Sequence, residues 1–436
     1  MKNIYIFLFA ILMFIISCNK PTTSPSEPIS EIINGITYYD PATAETKEYP
    51  FFRIDNVTGQ NIFVKNTFKK LAVSKNAIIY LEQGINTITK DKILSFITKF
   101  EEYYPREVEI YGQPSDFDGN GKIIFLMANL NTNTAGGSFS TGGYFNPLDL
   151  SIGKGGIAGE YLHIDVGNNI DYGIGIMMHE LQHLINKYVN GIKKNKAMDI
   201  WLDEALSEST SHMFDKEMVN MRAKAFNDTP YYSFYSWYFQ YSKNNDIFTK
   251  PMYAASYAPV SMFMKWVDAK TGNNQEIYKK IASSSLTDSE QILLDSVKTL
   301  APSLGNDMDT LLINWIKGIN NGDIKDISNA PNISDLASSK SYEEFLINGQ
   351  TQLLPKALIV CSKQDSDKIT DSNIRKEDLG NGNYIVLNTR KNASAGFTSA
   401  SDIVPISLTR TAVRNNNVSE LTMFKKDYFT DIVITE

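Results

Sequence analysis

The sequence predicts an α+β fold in three parts: an α/β lobe to about residue 190, a mainly helical lobe to about 325, and a small β-rich C-terminal domain over 335–436. Three observations carry this reading. Between Ala77 and Ala128, strand-like runs alternate with an amphipathic helical stretch. From Asp171 onward apolar residues recur at helical spacing, through runs at 274–283, 288–300 and 306–319. Beyond 335 the pattern changes to Leu353–Cys361, Tyr384–Thr389, Ile403–Thr409 and Tyr428–Thr435, strand-like runs separated by Asn, Gly, Ser and Asp. Hydrophobic residues make up 42% and charged residues 21%, ample for a sizeable core. A net charge of −7 and a pI near 5.4 argue against a nucleic-acid partner.

The first 17 residues read as a targeting segment rather than fold. Lys2 precedes 13 apolar residues, Ile4 to Ile16, a run too short for a comfortable membrane span and suited to a signal-peptide core. Ile15-Ile16-Ser17-Cys18 resembles a bacterial lipobox, which implies lipidation of Cys18 and attachment to a membrane. An ordinary secretory signal with a chance Cys is the alternative. Asn19 to Ile29, rich in Pro, Ser and Thr, reads as a flexible tether, and the tether is expected over 18–49 with the folded domain over 50–325. With Cys18 lipidated, Cys361 has no intramolecular partner, and its run Ala357-Leu-Ile-Val-Cys361 places it in the core.

Within the α/β lobe, Ala77–Glu82 is a strand. Thr89–Tyr104 is a helix with Ile93, Ile97, Phe100 and Tyr104 on one stripe, stopped by Pro105. Glu107–Tyr111 and Lys122–Ala128 read as further strands. Between them, Asp116, Asp118 and Asn120 alternate as in a calcium loop, with Gly121 at the sharp turn. The twelfth position is Met127, so the bidentate Glu of an EF-hand is missing, and a plain Asx/Gly turn fits equally well. Residues 130–160, rich in Gly, Ser, Thr and Asn and interrupted by Gly-Tyr-Phe-Asn-Pro, read as a surface loop with short strands, followed by a short strand from Glu160 to Val166.

The chemistry concentrates between Asp171 and His212. His179 and His183 stand at i, i+4, about 40° apart on a helix, so both rings can grip one metal ion while Glu180 reaches a water on it. Ile174, Ile176, Met177, Leu181, Leu184 and Ile185 support that helix, and Gly191 is a natural stop. Only four His occur in the chain, and two fall in this motif. Trp-Leu-Asp-Glu-Ala-Leu-Ser-Glu then opens a second helix with Asp199 as N-cap. Glu204 in its first turn can supply a third ligand, and Glu208 one turn on can orient a ligating histidine. Three protein ligands leave a fourth position for water, the pattern of a catalytic zinc.

HELQHLIN followed by WLDEALSE resembles the gluzincin metallopeptidases, and more narrowly the hyicolysin family of bacterial neutral metalloproteases. The resemblance implies a zincin-type fold, Zn2+ held by His179, His183 and Glu204, and Glu180 as the catalytic base. Ala205 departs from the Gly that more often follows the ligand Glu. YPREVEIYGQPSDFDGNGKI is also similar to that family, with structural rather than catalytic weight. In gluzincins the strand near Glu160–Val166 often edges the cleft, where it can hold an extended peptide. Tyr253-Ala-Ala-Ser-Tyr257 resembles the family's stretch in which a Tyr opens a helix below the cleft. A Tyr hydroxyl there would face the oxyanion, Tyr257 being the first choice and Tyr253 the second, with two core tyrosines as the alternative. His163 reads as a structural or cleft-lining residue rather than a ligand, and His212 as structural, with a contact behind the metal ligands as the alternative. Eight aromatics among residues 231–241 read as interior packing or an aromatic subsite.

Together these readings imply an exported, lipid-anchored zinc endopeptidase of the cell surface, outer membrane or periplasm, acting on protein or peptide substrates. The rival is a binding lipoprotein on an inactive peptidase fold. An aminopeptidase would need an acidic group for the substrate N-terminus, and no upstream motif supplies one.

Overall fold

The computed structural model describes residues 27–135, 141–151, 157–167, 173–228, 253–332, 346–347, 350–353, 355–380, 382–390 and 404–406. The N-terminal part is built on one mixed sheet. Strands β1 (Ser30–Ile33), β2 (Ile36–Tyr39), β3 (Thr46–Asp55), β4 (Asn61–Val73) and β5 (Ala77–Glu82) precede helix α1 (Lys90–Tyr111). Then come β6 (Ile123–Ala128), β7 (Asn131–Thr132), β8 (Gly143–Phe145) and β9 (Tyr161–Asp165). The order across the sheet is β1-β2-β4-β5-β6-β9-β8, with β3 laid against β4 and β7. β5, β6 and β9 run parallel, and β8 closes the row antiparallel to β9.

Both faces of the central strands are covered, which is why β6 reads as an unbroken apolar run, IIFLMA, rather than an alternating one. Ile79, Leu81, Phe125, Met127, Leu162 and Ile164 face the helices. Tyr80, Ile124, Leu126 and Tyr161 face the other way, under Tyr49 and Phe51 of β3. Tyr49 packs edge-on against Phe68 and Tyr80, at centroid distances of 5.7 and 5.2 Å. Residues 30–33, 36–39 and 46–49 are therefore sheet, not tether. Their polar composition hid them because β1 and most of the outer turn of β3 are solvent-exposed, while Ile36, Tyr38 and Tyr49 are buried.

Helix α1 also corrects the sequence reading. It runs through Pro105, and Glu107–Tyr111 is its last turn rather than a strand. An interior proline costs about 3 kcal/mol. The buried stripe Ile93, Ile97, Phe100 continues through Glu107, Ile110 and Tyr111, so packing offsets that cost. The helix ends where the Gly112 N–H bonds Val108 O at 2.9 Å.

Helices α2 (Gly173–Asn186), α3 (Ile200–Phe214), α4 (Lys216–Asp228), α5 (Tyr253–Lys270), α6 (Glu276–Ser283), α7 (Ser289–Leu300) and α8 (Met308–Asn320) form the second part. A π-helical turn, Lys187–Lys193, extends α2 past Gly191, so that glycine does not stop the winding. Among the described residues no helix is long and apolar enough to cross a membrane. Further on, β10 (Leu346–Ile347), β11 (Gln350–Leu353) and β15 (Val404–Ile406) form one small sheet. β12 (Leu358–Ser362), β13 (Ile374–Gly380) and β14 (Asn383–Asn388) form another, with α9 (Lys363–Lys368) between β12 and β13. Lys356–Asp309 and Lys317–Glu377 ion pairs, at 2.6 and 2.7 Å, join this second sheet's segment to α8. Cys361 is buried there, and burial pushes its thiol up to about 12. Residues 1–26, which hold the expected signal segment and Cys18, the aromatic run 231–241 and the strand expected at Tyr428–Thr435 lie outside the described residues.

Because Tyr49 is packed in the sheet, Tyr49→Ala is expected to lower the stability of the chain by about 3 kcal/mol or more. Denaturant unfolding measures this. A loss below about 0.5 kcal/mol, the effect of a surface change, would place residue 49 in a tether after all.

Candidate metal centre

Helix α2 is buried nearly all round, and that determines its chemistry. Met177, Met178, Leu181, Leu184 and Ile185 enter the core, while His179, Glu180, Gln182, His183 and Asn186 are buried as well. Buried polar groups must find partners. Most come from α3, which lies against α2.

His179 Nε2 and His183 Nε2 lie 3.2 Å apart. Glu204 Oε2 lies 3.4 Å from each. A tetrahedral ion with bonds of about 2.0–2.1 Å has ligand atoms separated by about 3.4 Å. The triangle therefore fits zinc, and two imidazoles with one carboxylate are its donor chemistry.

Each ring is oriented from behind. His183 Nδ1 faces Asp203 Oδ2 at 3.0 Å and Ser207 Oγ at 3.1 Å. Asp203 in turn accepts from Asn186 Nδ2 at 2.5 Å. His179 Nδ1 lies 3.6 Å from Glu208 Oε1. A carboxylate behind each ring favours the tautomer with the proton on the outer nitrogen and a lone pair turned inward. Glu208 is wholly buried and clamped by Arg222, with Nε–Oε2 at 2.8 Å and Nη2–Oε1 at 2.6 Å. The Arg222 guanidinium also sits 4.8 Å over the Tyr257 ring.

Glu180 lies at the sheet edge. Its Oε2 accepts the Phe145 N–H of β8 at 2.8 Å. Gly143 makes this approach feasible: a Cβ there would fall 2.7 Å from both His163 O and Ile176 Cγ2, so a side chain would push β8 off α2. The strand edging the site is therefore β8, within the stretch expected to be a surface loop with short strands. The strand after Glu160, β9, is interior because β6 and β8 flank it.

Tyr257 is 2% exposed, and its hydroxyl reaches Glu204 Oε1 at 3.5 Å. Tyr253 is the first residue of α5. His163 is a structural residue: Nε2 meets Asp149 Oδ2 at 2.8 Å, and the ring stacks on Tyr144 at 4.2 Å. His212 faces Tyr278 Oη at 2.9 Å and Ser261 Oγ at 3.1 Å, away from the ligand triangle. Asp199 occupies the N-cap position of α3 in extended backbone but makes no side-chain cap bond. Asp116 and Asp118 converge with Glu160, whereas Asn120 is taken up by the turn, accepting the Lys122 N–H at 2.6 Å.

Four contributors escaped the sequence reading. Asp203 carried a signal, since a carboxylate beside Glu204 on the same first turn can reach a ring that Glu204 does not cover. Arg222 and the Phe145 N–H carried none, because tertiary packing alone brings them in. Glu107 was legible in part, as the next member of the α1 stripe once Pro105 is read through. It is fully buried, and neither carboxyl oxygen has a hydrogen-bond partner among the described residues. Burial drives its pKa well up, and the His179 charge pulls it partly back.

The sequence is similar to the neutral metalloprotease ShpI of Staphylococcus hyicus, 27% identical over 199 residues, a match that takes in 43% of this chain. It spans 44% of that relative's length, so under half of the relative is represented. No protein-family model matches the chain.

The half-buried His212 supplies a pH test. Burial lowers its pKa to about 3, against an ordinary value of 6.5. The unfolded chain then binds a proton below 6.5 that the folded chain refuses, so stability falls as pH drops from about 6.5 to about 3. Each pH unit in that window is expected to cost up to about 1.4 kcal/mol, a slope that His212→Gln removes while the two curves stay parallel above pH 7. Denaturant unfolding against pH reads this directly. Parallel curves through the acid window would contradict it.

Proposed function

We propose that the chain is a zinc-dependent endopeptidase of the hyicolysin type. The single observation that carries the proposal is the triangle of His179 Nε2, His183 Nε2 and Glu204 Oε2, with edges of 3.2, 3.4 and 3.4 Å. The similarity to a neutral metalloprotease supports the same reading.

A zinc ion held by His179, His183 and Glu204 supplies a Lewis acid and, in well-studied sites, lowers the pKa of a water to about 7. Glu180 takes the proton of the attacking water and returns it to the leaving amine nitrogen. The Phe145 N–H holds one of its oxygens, which fixes the direction from which the carboxylate works. The Tyr257 hydroxyl donates to the oxygen of the scissile carbonyl as negative charge gathers there. The β8 edge offers backbone groups to an extended substrate segment. Buried Glu208 with Arg222 and Asp203 with Asn186 keep the two rings turned inward. The N-terminal signal and Cys18 support export and membrane attachment, and therefore extracytoplasmic polypeptides as substrates.

Glu180→Gln is expected to retain the metal and lose at least about 10²-fold in peptide-bond hydrolysis, measured on a denatured protein substrate with a chelator control. Tyr257→Phe is expected to lower kcat by about 10²-fold with little change in KM. Retained hydrolysis in Glu180→Gln would refute the mechanism, and a metal-replete wild type that cuts nothing would favour the binding-protein reading. Asp203→Ala is expected to weaken metal affinity by about 10- to 100-fold, read by competition with a chromophoric chelator. Unchanged affinity would remove Asp203 from the site.

A further inference from the structure

A second convergence of acids lies apart from the first. Asp116 and Asp118 sit in the loop between α1 and β6, and Glu160 immediately precedes β9. One carboxyl oxygen from each of the three lies within 4.8 Å of the others. Oxygens about 2.4 Å from a calcium ion stand at most about 4.8 Å apart, so one ion can touch all three.

Glu160 turns this from an acid cluster into a site. It is 1% exposed, although Asp116 and Asp118 are on the surface. Its Oε1 accepts the Phe117 N–H at 3.0 Å. Its Oε2 is buried and has no hydrogen-bond partner among the described residues. The buried Ser115 hydroxyl lies beside the Glu160 carboxyl and holds its pKa partly down, without closing a full hydrogen bond to Oε2. A buried carboxylate converging with two more carboxylates is unfavourable on both desolvation and charge. Burial, with Asp118 and Asp116 adding to it, raises the Glu160 pKa accordingly. Burial, again with Asp116 adding to it, also raises that of Asp118.

The surrounding backbone is arranged to keep the acids close. Gly121 N–H binds Asp116 Oδ1 at 2.8 Å, and Asn120 N–H binds Asp118 Oδ1 at 3.1 Å. Gly159 leaves room for Asp118, since a Cβ there would stand 3.0 Å from Asp118 Oδ2. An all-carboxylate donor set selects a hard cation over zinc.

We propose that Asp116, Asp118 and Glu160 bind one calcium ion that ties the α1–β6 loop to the start of β9. The loop's Phe117 packs edge-on against Tyr188 at 5.8 Å, in the π-helical turn that continues α2. The ion therefore braces the segment trailing the two-histidine helix. Its role is to stabilise the fold, whether or not the first centre hydrolyses peptides.

The test uses the full chain, stripped of metal and reloaded with one equivalent of zinc. Calcium chloride is then titrated calorimetrically and by thermal melting. One calcium per chain is expected, with Kd about 10⁻⁴–10⁻³ M and a Tm rise of about 3 °C at saturation. E160Q and D118N are each expected to weaken calcium binding at least tenfold. Without calcium both are expected to melt no lower than wild type, because each relieves like-charge repulsion, and that melt also verifies folding. Zinc stoichiometry stays at one throughout, which separates this site from the first. Absence of a calcium response in wild type would overturn the proposal. So would an affinity unchanged in both variants, or an equal Tm rise with magnesium.

Discussion

Two imidazole nitrogens and a carboxylate oxygen held within 3.4 Å of one another in a buried space require a positive charge between them. The surroundings sharpen that requirement. Glu180, Glu204 and Glu208 are buried, Asp203 lies behind His183, and Glu107 is fully enclosed, while Arg222 pairs with Glu208. A carboxylate stands behind each outer nitrogen, at 3.0 Å for His183 and 3.6 Å for His179, and favours both inner lone pairs turning to one point. A divalent cation at that point satisfies the charge, the lone pairs and the distances together.

The fold delivers this arrangement by stacking two helices on the edge of a sheet. α2 rests on β8 and β9, and the absence of a side chain at Gly143 brings β8 close enough for a backbone N–H to hold Glu180. α3 supplies Asp203, Glu204, Ser207 and Glu208 from its first three turns, all directed to α2. Helix α4 supplies the counter-charge and α5 supplies Tyr257. Apolar packing positions the elements, and a small number of buried polar contacts then fix orientation.

The sequence disclosed most where local pattern and final environment agree. The i, i+4 histidines and Glu204 stood out because each helix carries its own polar positions at helical spacing, and their convergence follows from packing two such faces. Strand β5 was legible to the residue because it is an apolar run bounded by turns. Failures arose where tertiary context overrode local preference. Pro105 looked like a stop, yet the stripe beyond it was worth more than one backbone hydrogen bond. β1, β2 and the start of β3 looked like tether because they lie at the sheet margin, where solvent permits polar residues. β8 lay in a Gly-rich stretch expected to be loop with short strands, and its place at the site depends on the close approach that Gly143 permits. Glu160 was missed because its partners lie some 40 residues away, and a loop motif counts only its own residues.

Zinc K-edge X-ray absorption on the purified full chain tests the central claim most directly. The account predicts one zinc per chain with two imidazole nitrogens and light oxygen donors at about 2.0–2.2 Å. Chain recovered without stoichiometric metal, or with a metal shell lacking imidazole, would contradict it.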